Sequence, residues 1–75
     1  MRIVNEKLLT HREKEIILFL LSGKNKREIA SSLNLSISTI KTNVEHLYEK
    51  FGVHNKIALA IYVIKNKIIE LDEND

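Results

Sequence analysis

The sequence predicts an all-α fold of four helices, and three observations carry that prediction. The 75 residues contain no proline and only two glycines, Gly23 and Gly52. Apolar residues make up 44% of the chain and recur at three- and four-residue spacing, with no Asn-Gly or Asp-Gly hairpin signal between them. Thr10, Asn25, Ser36 and Asn55, all residue types that open helices, each stand just before such a run.

Thr10 followed by Glu13 forms a reciprocal capping pattern, and Gly23 is suited to a left-handed end, which predicts a first helix over residues 11–22. Ile16, Ile17, Leu20 and Leu21 are spaced to line one face, with Leu9 entering beside them. Asn25 and Glu28 repeat the pattern and open a short helix over residues 26–33 that buries Ile29, Ala30 and Leu33. A tight turn follows at residues 34–36, where Asn34 tolerates left-handed backbone and Ser36 caps the next helix. The third helix spans residues 37–51, with Ile40, Val44, Leu47 and Phe51 inward, a polar opposite face and Gly52 as its stop. The fourth covers residues 56–66 and is apolar all round from 57 to 64. One face can pack on the core, so the other leaves an exposed apolar patch of the kind that marks an interface, and a second copy of the chain is the simplest cover. Residues 1–8 form a lead-in, residues 9–69 the domain, and residues 70–75 an acidic tail expected to fray.

A chain this short has room for one small core, and small domains commonly add disulfides, a metal or a partner subunit. Cysteine is absent, which removes disulfides and thiolate metal sites and fits a reducing compartment; with no leader-like segment, a cytoplasmic protein is expected. The apolar runs fall far below the ~20 residues that span a bilayer, so no membrane partner is expected. Twelve basic side chains face ten acidic ones, but four of the acids lie in the last six residues. Residues 1–69 therefore carry twelve basic against six acidic groups, a balance that favours a polyanionic partner.

A short helix, a three-residue turn and a longer helix with a polar outer face is the layout of a helix-turn-helix. Reading a major groove requires small and hydrogen-bonding side chains near the N-terminus of the second helix, because bulky groups hold the backbone off the base edges. Ser36, Ser38, Thr39, Lys41, Thr42, Asn43 and Glu45 meet that requirement. The partial positive charge and free amides at the same helix end suit a phosphate oxygen.

The residues Leu9-Thr10-x-Arg12-Glu13-x-Glu15, Glu28-Ile29-Ala30, Leu33, Leu35-Ser36, Ser38-Thr39-Ile40-Lys41-Thr42-x-Val44 and Lys50-Phe51-Gly52-Val53 occur in this order. This series closely resembles the LuxR/GerE family of bacterial DNA-binding domains, over residues 9–69. The resemblance implies a four-helix domain whose third helix is the recognition helix in the major groove and whose fourth is a dimerisation helix. The family often has proline where this chain has His11 and glycine where it has Lys67. The second departure suggests that the fourth helix continues through Lys67 or caps differently. Glu45 occupies an outward position that is often basic or neutral in the family; an acid repels phosphate there but can accept from cytosine N4.

By position, the resemblance implies a base-reading set of Lys41, Thr42, Glu45 and Ser38, with Lys41 donating to guanine and the Thr42 methyl touching thymine. Asn25, Lys26, Ser36, Thr39, His46, Lys50, Asn55 and Lys56 are assigned to phosphates, which set register without reading sequence, and Ser38 borders this group. Several have a simpler role as well: Ser36 and Asn25 serve as caps, and Lys50 can be an ordinary solvated lysine. Ile57, Ala60, Ile61 and Ile64 are the expected homodimer contacts.

His46, Glu49 and His54 lack the fourth ligand a zinc site needs, and no nucleophile stands in a pattern with a base, so neither a metal, a cofactor nor an enzyme is expected. The expected function is sequence-specific binding of double-stranded DNA in transcription control, as a free-standing protein or as the effector domain of a larger response regulator. The alternative, motivated by Glu45 and the acidic tail, is a protein-interaction module on the same scaffold that titrates a regulator or RNA polymerase.

Overall fold

A computed structural model describes residues 1–72 of the chain. Four helices follow one another as α1 (His11–Leu21), α2 (Lys26–Leu33), α3 (Ile37–Phe51) and α4 (Lys56–Lys65), preceded by a 3₁₀ turn at Glu6–Leu8. Two short strands, β1 (Arg2–Ile3) and β2 (Ile69–Glu70), pair antiparallel, with Arg2 opposite Glu70 and Ile3 opposite Ile69.

Each helix begins on the side chain named from the sequence. Thr10 and Glu13 close a capping box at α1, and Asn25 and Glu28 close one at α2. Ser36 accepts from the Thr39 amide and Asn55 from the Ala58 amide, which open α3 and α4.

All four helices end the same way. A residue with positive φ follows each one: Gly23 (101°), Asn34 (55°), Gly52 (67°) and Lys67 (57°). The next amide then reaches back five residues, from Lys24 to Phe19 (3.1 Å), Leu35 to Ala30 (3.0 Å), Val53 to Tyr48 (2.9 Å) and Ile68 to Val63 (2.8 Å). This is the Schellman arrangement, which satisfies carbonyls left open at a helix end. Helix α4 therefore stops at Lys65, and Lys67 adopts left-handed backbone of the kind that favours glycine. It does not carry the helix onward.

The core joins Ile16, Ile17 and Leu20 of α1, Ile29 and Ala30 of α2, Ile40, Val44 and Leu47 of α3, and Leu59 and Val63 of α4. Leu9, Ile68 and Ile69 complete it. Fully burying one such large aliphatic side chain stabilises the fold by about 1.5–3 kcal/mol. Leu21, Leu33 and Phe51 sit half-buried at its margin, where the Phe51 ring meets Tyr62 of α4 with centroids 5.2 Å apart.

The pairing of the two ends was not expected from the sequence. Where fraying was expected from Glu70 onward, Arg2 instead pairs with Glu70 at 2.9 Å and the Met1 amino group with Asp72 at 2.8 Å. The Val4 amide donates to Ile68 O at 2.8 Å, beside the buried Ile68 and Ile69 side chains. The remainder of that expected tail, residues 73–75, lies outside the described residues.

Candidate nucleic-acid interface

Helix α3 turns Ile40, Val44 and Leu47 inward and so must turn the opposite side outward. Ser38, Thr42, Glu45 and Glu49 fall on that outward stripe, with Lys41 beside it, and all five are exposed. Ser38, Lys41, Thr42 and Glu45 take part in no hydrogen bond or ion pair among the described residues. Their polar groups are free to bind something outside the chain.

The first turn of α3 is held by hydroxyls. Ser36 Oγ accepts from the Thr39 amide at 3.0 Å and donates to Thr39 Oγ1 at 2.8 Å, and the Asn43 amide group donates to Thr39 O at 2.8 Å. The single hydroxyl hydrogen of Ser36 is thereby engaged inside the chain, while that of Thr39 remains available to an anion. Asn25 and Asn55 likewise use their side-chain oxygens as caps, at 2.8 Å in each case, and keep their NH₂ groups for other partners. Lys26, His46 and Lys56 are exposed and carry no ion pair among the described residues.

Lys50 departs from its expected role. Its Nζ donates to Glu13 Oε1 at 2.6 Å and to Leu8 O at 3.1 Å. Glu13 is buried in α1 and also accepts from the Thr10 amide at 2.8 Å. Burial alone raises the Glu13 carboxyl pKa, but the Lys50 hydrogen bond and charge, with the Thr10 donors, outweigh it and hold the group below the ordinary carboxylate range. The Lys50 ammonium, expected at a phosphate, is thus engaged within the chain by α1 and the lead-in.

On α4, Leu59 and Val63 face the core while Ile57, Ile61 and Ile64 are 71%, 60% and 41% exposed. Ala60, expected among the interface residues, is half-buried beside them. The apolar stripe predicted by a helix with no polar face is therefore present on the surface.

Two residues on α3 escaped the sequence reading. Ile37 is 43% exposed one turn before Lys41, yet its spacing from Ile40 and Val44 reads as core. Glu49 extends the outward stripe one turn past Glu45, and with Tyr48, Gly52, Val53 and His54 the two acids line a shallow surface hollow. The four-residue spacing of Glu45 and Glu49 was the available signal.

A short helix, a turn on left-handed Asn34 and a longer helix with an unpartnered polar stripe define a helix-turn-helix domain of the four-helix kind. A family model described as bacterial regulatory proteins, luxR family (GerE) matches residues 7–63, and the chain belongs to that family. Similar proteins include the response regulator protein VraR of Staphylococcus aureus, of Staphylococcus saprophyticus and of Staphylococcus epidermidis. Each is 35% identical over 63 residues, which cover 84% of this chain and 30% of the relative. The chain thus spans under a third of the length of these relatives. Its place in the family makes it a DNA-binding domain of the transcription-regulator class.

Proposed function

We propose that this chain binds double-stranded DNA sequence-specifically as a homodimer and regulates transcription, with α3 of each copy in the major groove of one half-site. The observation that carries this reading is the outward stripe of α3, whose polar groups have no partner among the described residues. Lys41 donates to guanine, Thr42 offers its methyl to thymine, and Glu45 accepts from cytosine N4, with Ser38 at the groove edge; a good bidentate contact of this kind discriminates by about 1–3 kcal/mol. Thr39, Lys26, His46, Lys56 and the amide groups of Asn25 and Asn55 position the phosphates, and Ser36 acts through the α3 cap.

The exposed stripe of Ile57, Ile61 and Ile64, with Ala60 beside it, is the surface by which two copies pair. A two-fold contact there sets the two α3 helices about 34 Å apart, one turn of duplex, and calls for a pseudo-palindromic site. The chain acts in the cytoplasm, as a free-standing protein or as the effector domain of a larger response regulator, the name its relatives carry. RNA polymerase is a further candidate partner.

Selection of bound duplexes from a random pool tests the reading, since it returns half-site sequence and spacing together. Enrichment of a two-fold motif is the expected result, and a pool without any motif sinks it. Glu45 and Glu49, both outward and without an ion pair among the described residues, favour one second reading, a module that binds a basic protein segment. Failure to enrich any duplex, combined with binding to a protein partner lost on Glu45→Gln, is the outcome that reading requires.

A further inference from the structure

We infer that Glu13 is a positioning residue for DNA recognition: through Lys50 it fixes how the last turn of α3 lies on α1, and so how the outward side chains of α3 meet the groove. The inference rests on the DNA-binding reading of α3.

Three segments converge on one ammonium. Leu8 of the lead-in supplies a carbonyl at 3.1 Å, Glu13 of α1 a carboxylate at 2.6 Å, and Lys50 of α3 the charge between them. The carboxylate is itself fixed by the α1 capping box, since Glu13 Oε1 accepts from the Thr10 amide and the Glu13 amide donates to Thr10 Oγ1 at 3.1 Å. Glu13 is the buried charged residue of the described chain, so if Lys50 swings away the carboxylate keeps its Thr10 donor but loses its counter-charge.

The remaining hold on α3 is of a different nature. Ile40, Val44 and Leu47 are held by apolar contact, which has no preferred direction, and the Ser36 and Asn43 bonds are local to α3. Among the described residues, the side-chain hydrogen bonds that run from α3 to another element are those of Lys50. With the Lys50 end released, α3 can swing about its first turn, and at 1.5 Å rise per residue Thr42 lies roughly 9 Å along the axis from Ser36. A swing of about 10° moves Thr42 by roughly 1.6 Å, enough to break a hydrogen bond made at about 2.7–3.2 Å. Contacts to phosphates from long, mobile lysines tolerate such a shift far better than contacts to base edges.

The test compares wild type, Glu13→Gln, Lys50→Met and Lys50→Arg as full chains, at a temperature where circular dichroism shows each one folded. Gln at position 13 can keep the Thr10 cap while losing the charge. Affinity is measured over a range of salt for the duplex selected by wild type and for a scrambled duplex. Glu13→Gln and Lys50→Met are each expected to lower affinity for the selected duplex about tenfold, leave the scrambled duplex within about twofold and keep the salt slope. Lys50→Arg restores the wild-type ratio.

Lys50→Met weakening both duplexes alike, with the salt slope reduced by about 0.9 and Glu13→Gln without effect, makes Lys50 a phosphate ligand and overturns the proposal. Lower melting temperatures with an unchanged selected-to-scrambled ratio overturn it too, as scaffold only. Should Glu13→Gln not fold, the Lys50→Met and Lys50→Arg pair carries the same comparison. A wild-type chain that selects no duplex removes the DNA reading and this inference with it, whereas a selected motif with unchanged ratios removes only the role of Glu13.

Discussion

Lys67 closes α4 at φ 57°, the same left-handed backbone in which Gly52 closes α3 at φ 67°. Left-handed backbone costs a side chain with a Cβ about 1–2 kcal/mol, part of which glycine returns through its freer unfolded state. Lys67→Gly is therefore expected to stabilise the domain by about 0.5–1 kcal/mol, read as a rise of a few degrees in thermal midpoint. Gly52→Ala, in open space but at positive φ, is expected to lower it by a similar amount. A Lys67→Gly midpoint at or below that of wild type contradicts the strain argument.

The depressed pKa of Glu13 sets a direction for acid sensitivity. A carboxyl whose folded value lies below its unfolded value, about 4.3, contributes stability that is present above that pH and is lost as pH falls through the folded value. Glu13→Gln is expected to flatten the unfolding free energy against pH in the acid range below about 4.3. Unfolding by urea at a series of pH values checks this, and parallel curves for the two proteins would show that the carboxylate is not coupled to Lys50.

The exposed face of α4 separates folding from assembly. Ile61, 60% exposed, is expected to accept Glu with a change in monomer stability within about 0.5 kcal/mol, while the proposed homodimer is expected to dissociate. Leu59, with no exposure, is expected to lose about 2–5 kcal/mol on replacement by Ala. Sedimentation equilibrium and thermal unfolding separate the two effects. If Ile61→Glu assembles as wild type does, the interface lies elsewhere.

Base reading and phosphate contact are expected to separate in the same way. Lys41→Ala should relax preference at one base pair by about 1–3 kcal/mol, whereas Lys56→Ala should weaken all duplexes alike and reduce the salt slope by about 0.9. Competition against single-position variants of the selected duplex measures the first. Titration across salt concentrations measures the second.

The helices were legible because their ends are local. Thr10 with Glu13, Asn25 with Glu28, Ser36 and Asn55 use side chains within three residues of the amides they cap, and Gly23, Asn34 and Gly52 bring their own backbone preference. The outward stripe of α3 followed from the inward one. Two features were hidden because they join distant residues: the pairing of Arg2 with Glu70, and of Glu13 with Lys50. Spacing along a chain places Lys50 on the flank of α3, but only the packing of α1 against α3 brings a buried carboxylate to it. Lys67 was hidden for the opposite reason, since its side chain disfavours the backbone that the packing of Ile68 requires.

Ser36 and Gly52 cap the two ends of α3, and Lys50 ties it to α1, through bonds that involve none of Ser38, Lys41, Thr42 or Glu45. Those four exposed positions are consequently expected to accept substitution with a change in stability within about 0.5 kcal/mol, which makes the outer face of α3 a replaceable part. On the proposed base-reading role of that face, new target preferences arise one side chain at a time, each tried without first repairing the fold.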